Sequence, residues 1–164
     1  MEQTDKTIKN TQKILNKLIS EEVIAANIYM GAINNVKPEC LKFIEEKFSE
    51  IAKDEIEDHW TSLVNFAKTH GFEVPFKFKD IEKYASSKMV AKLNHLKNKE
   101  DGLYYVQKAI ESEHDAIQSF EEAMQSDYMY DLQPILLKCY YDELQHFEEL
   151  ELLMKCMSIG VMVV

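Results

Sequence analysis

Long stretches without helix-breaking residues are the feature that most constrains this chain. Only four glycines and three prolines occur among its 164 residues, and these residue types are the strongest local interruptions of a helix. Between them, apolar residues recur at the i, i+3, i+4 and i+7 spacing of an amphipathic helix. The pattern predicts four long helices, at about residues 7–34, 39–69, 101–124 and 134–157.

The breaks between these segments predict how the helices are connected. Gly71 follows the second segment as a C-cap, and Pro134 suits the first turn of the fourth. Residues 72–101 separate the second and third segments, whereas connections in helical bundles are usually two to eight residues long. A connection of this length predicts a crossover between two parallel helices, with a short helix near residues 86–96, in an up-down-down-up bundle.

Length, charge and cysteine content narrow the class of protein. A chain of 164 residues predicts one domain spanning residues 1–164. The formal net charge of −10 argues against nucleic acid as a partner and favours the attraction of cations. No apolar run approaches the roughly 18 residues that span a bilayer, so we expect no membrane partner. Cys40, Cys139 and Cys156 form no closely spaced pair and no secretory signal is predicted, which indicates a reduced, cytoplasmic protein.

Three of the four predicted helices carry a glutamate at the centre of the apolar stripe. Because each helical residue turns about 100° from the last, the position of every side chain around the helix can be calculated. Glu22, Glu113 and Glu143 each lie in the middle of their stripe, and His146 lies one turn after Glu143 on the same face. Other acidic residues lie off the stripes and are expected on the surface, among them Glu111, Glu122 and Glu148.

The second helix is less regular. Its segment DEIEDHW contains Glu55 and two candidate partners, Asp58 at i+3 and His59 at i+4. The surrounding apolar stripe centres close to His59, with Asp58 roughly 100° away from it. The geometry of the face favours His59, and the sequence leaves the choice between the two open.

Four glutamates in the core of one bundle require compensating positive charge, because an isolated buried carboxylate is strongly unfavourable. Two divalent metal ions would neutralise the four carboxylates, and two imidazoles would complete the coordination without adding charge. One Glu from each of two helices, with a Glu and a His from each of the other two, is the di-iron carboxylate pattern. Carboxylate and imidazole ligands suit iron or manganese. The candidate metal ligands are therefore Glu22, Glu55, His59, Glu113, Glu143 and His146.

The sequence resembles the ferritin-like superfamily, and most closely the bacterioferritins and the related Dps-like mini-ferritins. LNKLISEEVIAANIYM resembles the first bacterioferritin helix, ESEHDAIQSFEEAM the third and DELQHFEELEL the fourth. The resemblance implies terminal ligands at Glu22, Glu113 and His146, bridging carboxylates at Glu55 and Glu143, and a tyrosine beside the site at Tyr29. From the residues alone, Tyr29 is either core packing or a group beside the metals.

The second helix departs from the family pattern. The family has Glu-x-x-His there, whereas here Asp58 occupies the histidine position and His59 follows one residue late. Either the helix adjusts locally, for example by a π-bulge, or one metal position has an altered ligand. Haem-binding bacterioferritins also carry a Met directly after the helix-two Glu. Ile56 stands at that position, so we expect no haem.

The resemblance implies an all-α, ferritin-like four-helix bundle that acts as a ferroxidase. Two iron ions per subunit, with manganese as an alternative, would bind at the six ligands, and Fe(II) would be oxidised by O2 or H2O2. The catalytic candidates are Glu22, Glu55, Glu113, Glu143 and Tyr29. A homo-oligomeric shell of 12 or 24 subunits would store ferric mineral. The alternatives are a rubrerythrin-like di-iron or di-manganese peroxidase or oxidase without storage, and a non-enzymatic helical bundle with a degenerate site.

Overall fold

The computed structural model describes residues 2–36, 41–95 and 101–159. Its α-helices are α1 (Glu2–Asn35), α2 (Leu41–Asp54), α3 (Thr61–Thr69), α4 (Phe78–Tyr84), α5 (Ser87–His95), α6 (Gly102–Met124) and α7 (Gln133–Ser158). A π-helix, Glu55–Trp60, joins α2 to α3 without a break, and a short 3-10 helix, Tyr130–Leu132, leads into α7. None of the helices described here is long and apolar enough to cross a membrane.

The predicted all-α, four-helix architecture is confirmed, with the combined α2–π–α3 segment as the second long helix. One apolar cluster joins the first half of α1 to α3, the end of α6 and the start of α7. A second cluster joins the end of α1 to α2, the start of α6 and the second half of α7. These shared ends mean that α1 and α7 run one way and α2–α3 and α6 the other. The topology is therefore up-down-down-up.

Two helix boundaries have well-defined caps, and the one at Gly71 was predicted from the sequence. Asp101 caps α6 by accepting a hydrogen bond from the backbone N–H of Tyr104. At the end of α3, Gly71 has a φ of 73°, which costs glycine little because it has no Cβ. The backbone N–H of Phe72 then reaches the Ala67 carbonyl at 2.8 Å, while that of Gly71 reaches Lys68 at 3.3 Å. This pair of bonds is a Schellman motif, which satisfies the carbonyls left open at the helix end.

The long crossover contains two helices, where the sequence predicted one. The predicted helix at residues 86–96 corresponds to α5, and residue 96 lies outside the described part of the chain. The seven-residue α4 was not predicted, because it is too short to show a helical period. Both helices pack on the outer face of α1 through an apolar cluster that includes Ile24, Ile28, Ile81 and Met89. The crossover therefore covers the side of α1 that faces away from the bundle core.

The crossover is also tied to α1 by a buried polar contact. The Glu21 carboxylate is 5% exposed and accepts a hydrogen bond from the backbone N–H of Ser86 at 3.1 Å. This carboxylate thereby satisfies one donor at the start of α5, where backbone N–H groups have no helical partner. Glu21 thus faces the crossover while the adjacent Glu22 faces the bundle core.

Candidate metal centre

The six candidate ligands meet in a polar layer between the two apolar clusters of the bundle. On each long helix they fall between the residues of one cluster and those of the other. Each is at most 5% exposed: Glu22, Glu55, His59, Glu113, Glu143 and His146. A layer of four carboxyl groups and two imidazoles, closed above and below by aliphatic and aromatic side chains, is shielded from water.

The polar layer consists of two overlapping groups. The first, named here the His59 half-site, comprises Glu22, Glu55, His59 and Glu143. The second, the His146 half-site, comprises Glu55, Glu113, Glu143 and His146. Within each half-site, one nitrogen or oxygen atom per residue lies within 4.8 Å of the others. Because Glu55 and Glu143 belong to both, their carboxylates lie between the two half-sites.

The atoms that face the centre of the layer lack hydrogen-bond partners among the described residues. They are Glu22 Oε2, Glu55 Oε1, His59 Nδ1, Glu113 Oε2, both carboxylate oxygens of Glu143, and His146 Nδ1. Buried polar atoms are normally hydrogen-bonded, and an unsatisfied group costs about 1–3 kcal/mol. Every one of the six residues contributes at least one such atom. The layer therefore offers donor atoms without hydrogen-bond partners from all six residues, and this donor set is compatible with a pair of divalent cations.

The π-helix explains how His59 joins the layer although it follows Glu55 by four residues. A π turn spans i→i+5 hydrogen bonds and so contains one residue more than an α turn. The extra residue moves the side chain at i+4 toward the direction that i+3 has in a regular helix. His59 is fully buried and its Nδ1 lies 3.2 Å from Glu143 Oε1 and 3.4 Å from Glu22 Oε2.

Thr61 stabilises this local geometry. Its hydroxyl donates a 2.8 Å hydrogen bond to the carbonyl of Ile56, five residues earlier. Where π geometry changes to α geometry, some backbone carbonyls lack their regular N–H donor. The Thr61 hydroxyl supplies a donor to one of them. The side chain thus supports the π turn directly after it ends.

The same turn places Asp58 outside the layer. Of the two residues between which the sequence left the choice open, His59 lies inside and Asp58 lies at the surface. The Asp58 side chain is 45% exposed and forms an ion pair with Lys138. Of the two residues, only His59 is in a position to coordinate a buried ion.

Each imidazole has an aspartate on the side that faces away from the layer. His59 Nε2 lies 3.2 Å from Asp142 Oδ2 on α7, and His146 Nε2 lies 3.4 Å from Asp54 Oδ2 on α2. Each aspartate directly precedes a layer glutamate, Glu143 or Glu55, and contacts the histidine of the opposite helix. The sequence analysis missed both aspartates. The repeated Asp-Glu dipeptide is the signal that could have indicated them.

Tyr29 lies at the His146 half-site. Its hydroxyl donates a short hydrogen bond to Glu113 Oε1, and its ring packs edge-on against Phe48 with centroids 5.0 Å apart. The ring therefore belongs to the core and the hydroxyl to the polar layer. Burial, followed by the negative charge of Glu113, raises the pKa of the phenol well above its usual value, so Tyr29 keeps its proton.

Burial and mutual repulsion set the protonation of the glutamates. Burial, then the charges of neighbouring carboxylates, raises the pKa of Glu55 and Glu143 well above the ordinary value. Burial also raises the pKa of Glu22. Burial by itself would raise the pKa of Glu113, but the proximity of His146 and Glu143 and the hydrogen bond from Tyr29 outweigh it, so this pKa is lowered. The shared carboxyl groups are therefore those that hold protons most tightly in the metal-free protein.

The two imidazoles respond in the opposite sense to the shared glutamates. Burial lowers the pKa of His59, but the contacts with Glu143, Glu22 and Glu55 outweigh it and raise the pKa above its ordinary value. Glu113 does the same for His146. Protons in the metal-free layer thus occupy the place of positive charge, and a bound cation would displace them.

The remaining histidines and cysteines lie away from the layer or outside the description. His70 and His114 are exposed, whereas the side chain of His95 and all of Cys40 lie outside the described part of the chain. Cys139 is buried and Cys156 half-buried, and both thiols are free. Burial raises the pKa of the Cys139 thiol, so this side chain is unreactive packing in the ground state.

Comparison with known proteins decides the family. The family model of the ferritin-like domain matches residues 12–155. The chain belongs to the ferritin-like family. Among solved structures, the dodecameric thioferritin of Bacteroides fragilis, a bacterioferritin-related protein, superposes with a TM-score of 0.77 and 17% identity, over 93% of this chain and 89% of that chain. At this identity the similarity shows the ferritin-like fold alone. None of the curated proteins gives a significant match.

Proposed function

We propose that this ferritin-like protein is a ferroxidase that oxidises Fe(II) and stores the ferric product in an oligomeric shell. The observation that carries the proposal is the convergence of unpartnered, buried carboxylate and imidazole atoms from four helices on two adjacent points. A structural zinc site would more often use thiolates, and the Cys139 thiol is not among the atoms grouped there. Oxygen-rich sites with imidazole are suited to iron and manganese.

The proposed roles follow from the overlap of the half-sites. Glu55 and Glu143 are shared and would bridge two iron ions, while Glu22 and Glu113 would each bind one. His59 and His146 would complete the two coordination shells through Nδ1, since Nε2 of each faces an aspartate. Fe(II) is the substrate and would supply the electrons that reduce O2 or H2O2. Tyr29 would hold Glu113 in place by the hydroxyl hydrogen bond.

Storage would require many chains around a cavity. The similarity to a dodecameric thioferritin supports a 12-subunit shell, and a 24-subunit shell is the alternative. Fe(II) would be attracted by the net charge of −10 per chain. The free thiols of Cys139 and Cys156 suit a reducing compartment, which supports a cytoplasmic location.

The first test is aerobic Fe(II) loading followed by measurement of iron per subunit across a size-exclusion profile. A shell-sized peak that retains many irons per subunit is expected. A small species that saturates once both half-sites are filled would replace storage by the rubrerythrin-like peroxidase or oxidase. A protein that neither binds nor oxidises Fe(II) would be a helical bundle with a degenerate site.

The matched variants for this test lie on α6. Glu113→Ala removes a buried layer carboxylate and should abolish rapid Fe(II) oxidation while the circular dichroism spectrum stays helical. Glu111→Ala removes a carboxylate whose side chain is 41% exposed and pairs with Lys108, and it should leave the rate unchanged. Equal rates for the two variants would refute the assignment of Glu113.

A further inference from the structure

Lys138 lies at the outer edge of the His59 half-site and contacts two aspartates. Its ammonium lies 2.8 Å from Asp142 Oδ2 and also forms an ion pair with Asp58. The lysine side chain is 51% exposed, so this cluster lies at the surface. Its two aspartates directly precede the layer residues Glu143 and His59 in sequence. An exposed ion pair of this kind contributes little to stability. Its larger effect would be on the orientation of the two aspartates.

Asp142 connects Lys138 to the imidazole. The same oxygen, Oδ2, accepts from the ammonium at 2.8 Å and lies 3.2 Å from His59 Nε2. An aspartate held in this way accepts the Nε2 hydrogen, which leaves the lone pair of Nδ1 directed into the layer. Outer carboxylates that orient a coordinating histidine are worth roughly 10–100-fold in metal affinity or activity.

Asp58 gives Lys138 a second effect on the same imidazole. Asp58 directly precedes His59, and the ion pair holds its carboxylate at the surface. In the π turn, Asp58 points to the surface while His59 points into the layer. An ion pair that keeps Asp58 at the surface therefore also favours the helix geometry in which His59 points inward. Lys138 therefore acts on His59 in two ways. Through Asp142 it affects the hydrogen bond at Nε2, and through Asp58 it affects the backbone geometry that directs the imidazole.

The His146 half-site has no equivalent anchor among the described residues. Asp54, the partner of His146, is 50% exposed, compared with 33% for Asp142. Four residues before Asp54 on its helix stands Glu50, which pairs with Lys47 at 2.6 Å. Four residues before Asp142 stands Lys138. The position four residues before the outer aspartate is thus a lysine that contacts Asp142 in one half-site, and a glutamate that is paired with Lys47 in the other.

We propose that Lys138 is a positioning residue for the His59 half-site, holding Asp142 on His59 Nε2 and Asp58 at the surface. The inference rests on the proposed metal centre. It concerns only one of the two half-sites. It predicts weaker cation binding when Lys138 is removed, whereas its charge alone predicts stronger binding. Removing a nearby positive charge strengthens the attraction of a cation, whereas removing a positioning group weakens its binding.

The test uses Co(II), whose visible absorption reports the coordination of each bound ion, in titrations of the full-length protein. In Lys138→Met and Lys138→Gln, one of the two Co(II) equivalents should bind about tenfold more weakly, the lower end of the range for outer partners, and the other should be unchanged. Lys138→Arg should restore the affinity. Lys155→Met is the matched control on the same helix, since Lys155 pairs with Glu151 and lies far from the layer in sequence.

A His59→Ala background separates positioning from a general effect of charge. In that background only the His146 half-site keeps its imidazole, and Lys138→Met should cause no further change. Unchanged or tighter Co(II) binding in Lys138→Met, or an equal loss in the His59→Ala background, would overturn the role of Lys138 while leaving the metal centre intact. Failure of the unmodified protein to bind Co(II) would instead overturn the metal centre, and the inference with it.

Discussion

The two half-sites reach nearly the same arrangement by different local structures. In the His146 half-site, Glu143 and His146 are three residues apart within the regular α-helix α7. In the His59 half-site, Glu55 and His59 are four residues apart, and the π-helix Glu55–Trp60 absorbs the extra residue. The direction of a side chain in the bundle therefore depends on the local helix geometry as well as on its spacing in sequence.

The surroundings of the half-sites differ as well. Tyr29 donates to Glu113 only in the His146 half-site, and Lys138 contacts the outer aspartate only in the His59 half-site. The His146 half-site therefore has an additional contact from a core residue, and the His59 half-site has one from a surface residue. We therefore expect the two metal positions to differ in affinity and in their sensitivity to mutation.

The largest expected effect tests whether the half-sites are joined. Glu143→Ala removes a carboxylate that belongs to both, so it should abolish Co(II) binding at both positions, whereas Glu22→Ala should affect only the His59 half-site. Fe(II) oxidation by Glu143→Ala should fall by more than about 100-fold, because outer partners alone are worth up to that amount. The exposed Glu148, on the same helix, provides the control. Retention of one tightly bound Co(II) in Glu143→Ala would show that this carboxylate is not shared.

The dependence on pH tests the shared carboxylates. Glu55, Glu143 and His59 all have a folded pKa above the ordinary value, so the metal-free folded chain binds more protons than the unfolded chain. The resulting stabilisation is complete below the ordinary pKa values and is lost as the pH rises through the folded ones. Between the unfolded and the folded pKa, each extra proton that the folded chain holds lowers the free energy of unfolding by about 1.4 kcal/mol per pH unit.

Calorimetry measures this effect directly. The Tm of the metal-free protein should fall between about pH 6 and about pH 8, and Co(II) should raise the Tm more at the higher pH, since the cations replace the protons. Both Co(II) equivalents should show the pH dependence, because Glu55 and Glu143 serve both half-sites. A pH-independent Tm in the metal-free protein would contradict the raised pKa values.

A smaller expected effect is on Co(II) affinity at the His146 half-site alone, and it is produced by a change in the core. Tyr29→Phe removes the hydroxyl that holds Glu113 and keeps the ring packed on Phe48. The Co(II) bound at the His146 half-site should weaken by about tenfold, as for other outer hydrogen-bond partners, and the His59 half-site should not respond. Tyr141→Phe, at a side chain that is 63% exposed, is the control. An equal weakening at both positions would mean that Tyr29 acts through the bundle as a whole.

The smallest expected effect concerns the π turn. Thr61→Val removes the hydrogen bond to the Ile56 carbonyl and should lower the free energy of unfolding by about 1 kcal/mol. Only the His59 half-site should lose Co(II) affinity, and Thr61→Ser, which keeps the hydroxyl, should restore both properties. Denaturant titration and Co(II) titration measure the two effects. A loss of stability without any change in Co(II) affinity would show that the π turn does not depend on Thr61.

Much of the bundle could be predicted because long amphipathic helices have a strong periodic signal. The four long helices, Gly71 as the residue after α3 and Asp101 at the start of α6 follow from local chemistry. The structure nevertheless begins α1 at Glu2, five residues before the predicted Thr7, because polar residues at a helix end carry little periodicity. The short α4 was missed because its seven residues are too few to show a helical period.

The candidate site was partly predictable for a related reason. A glutamate at the centre of an apolar stripe is unusual enough to be noticed on its own helix, as with Glu22 or Glu113. Lys138 and Asp142 lie off the stripe and resemble ordinary surface charges. Asp142 contacts His59 and Lys138 contacts Asp142, and the first of these contacts depends on the position of a different helix, which periodicity does not report.

The sequence by itself determined the four amphipathic helices, the long crossover and the glutamates on the core faces, because these properties arise from residues close together in the chain. Only the packed bundle shows that His59 lies in the buried layer and Asp58 at the surface, because the π turn at Glu55–Trp60 departs from the regular 100° spacing on which the sequence reading relied. The resemblance of the sequence implied bridging positions for Glu55 and Glu143, and in the packed bundle both carboxylates belong to each of the two half-sites. Which carboxylates are shared depends on how four helices meet, and that is a property of the packed bundle.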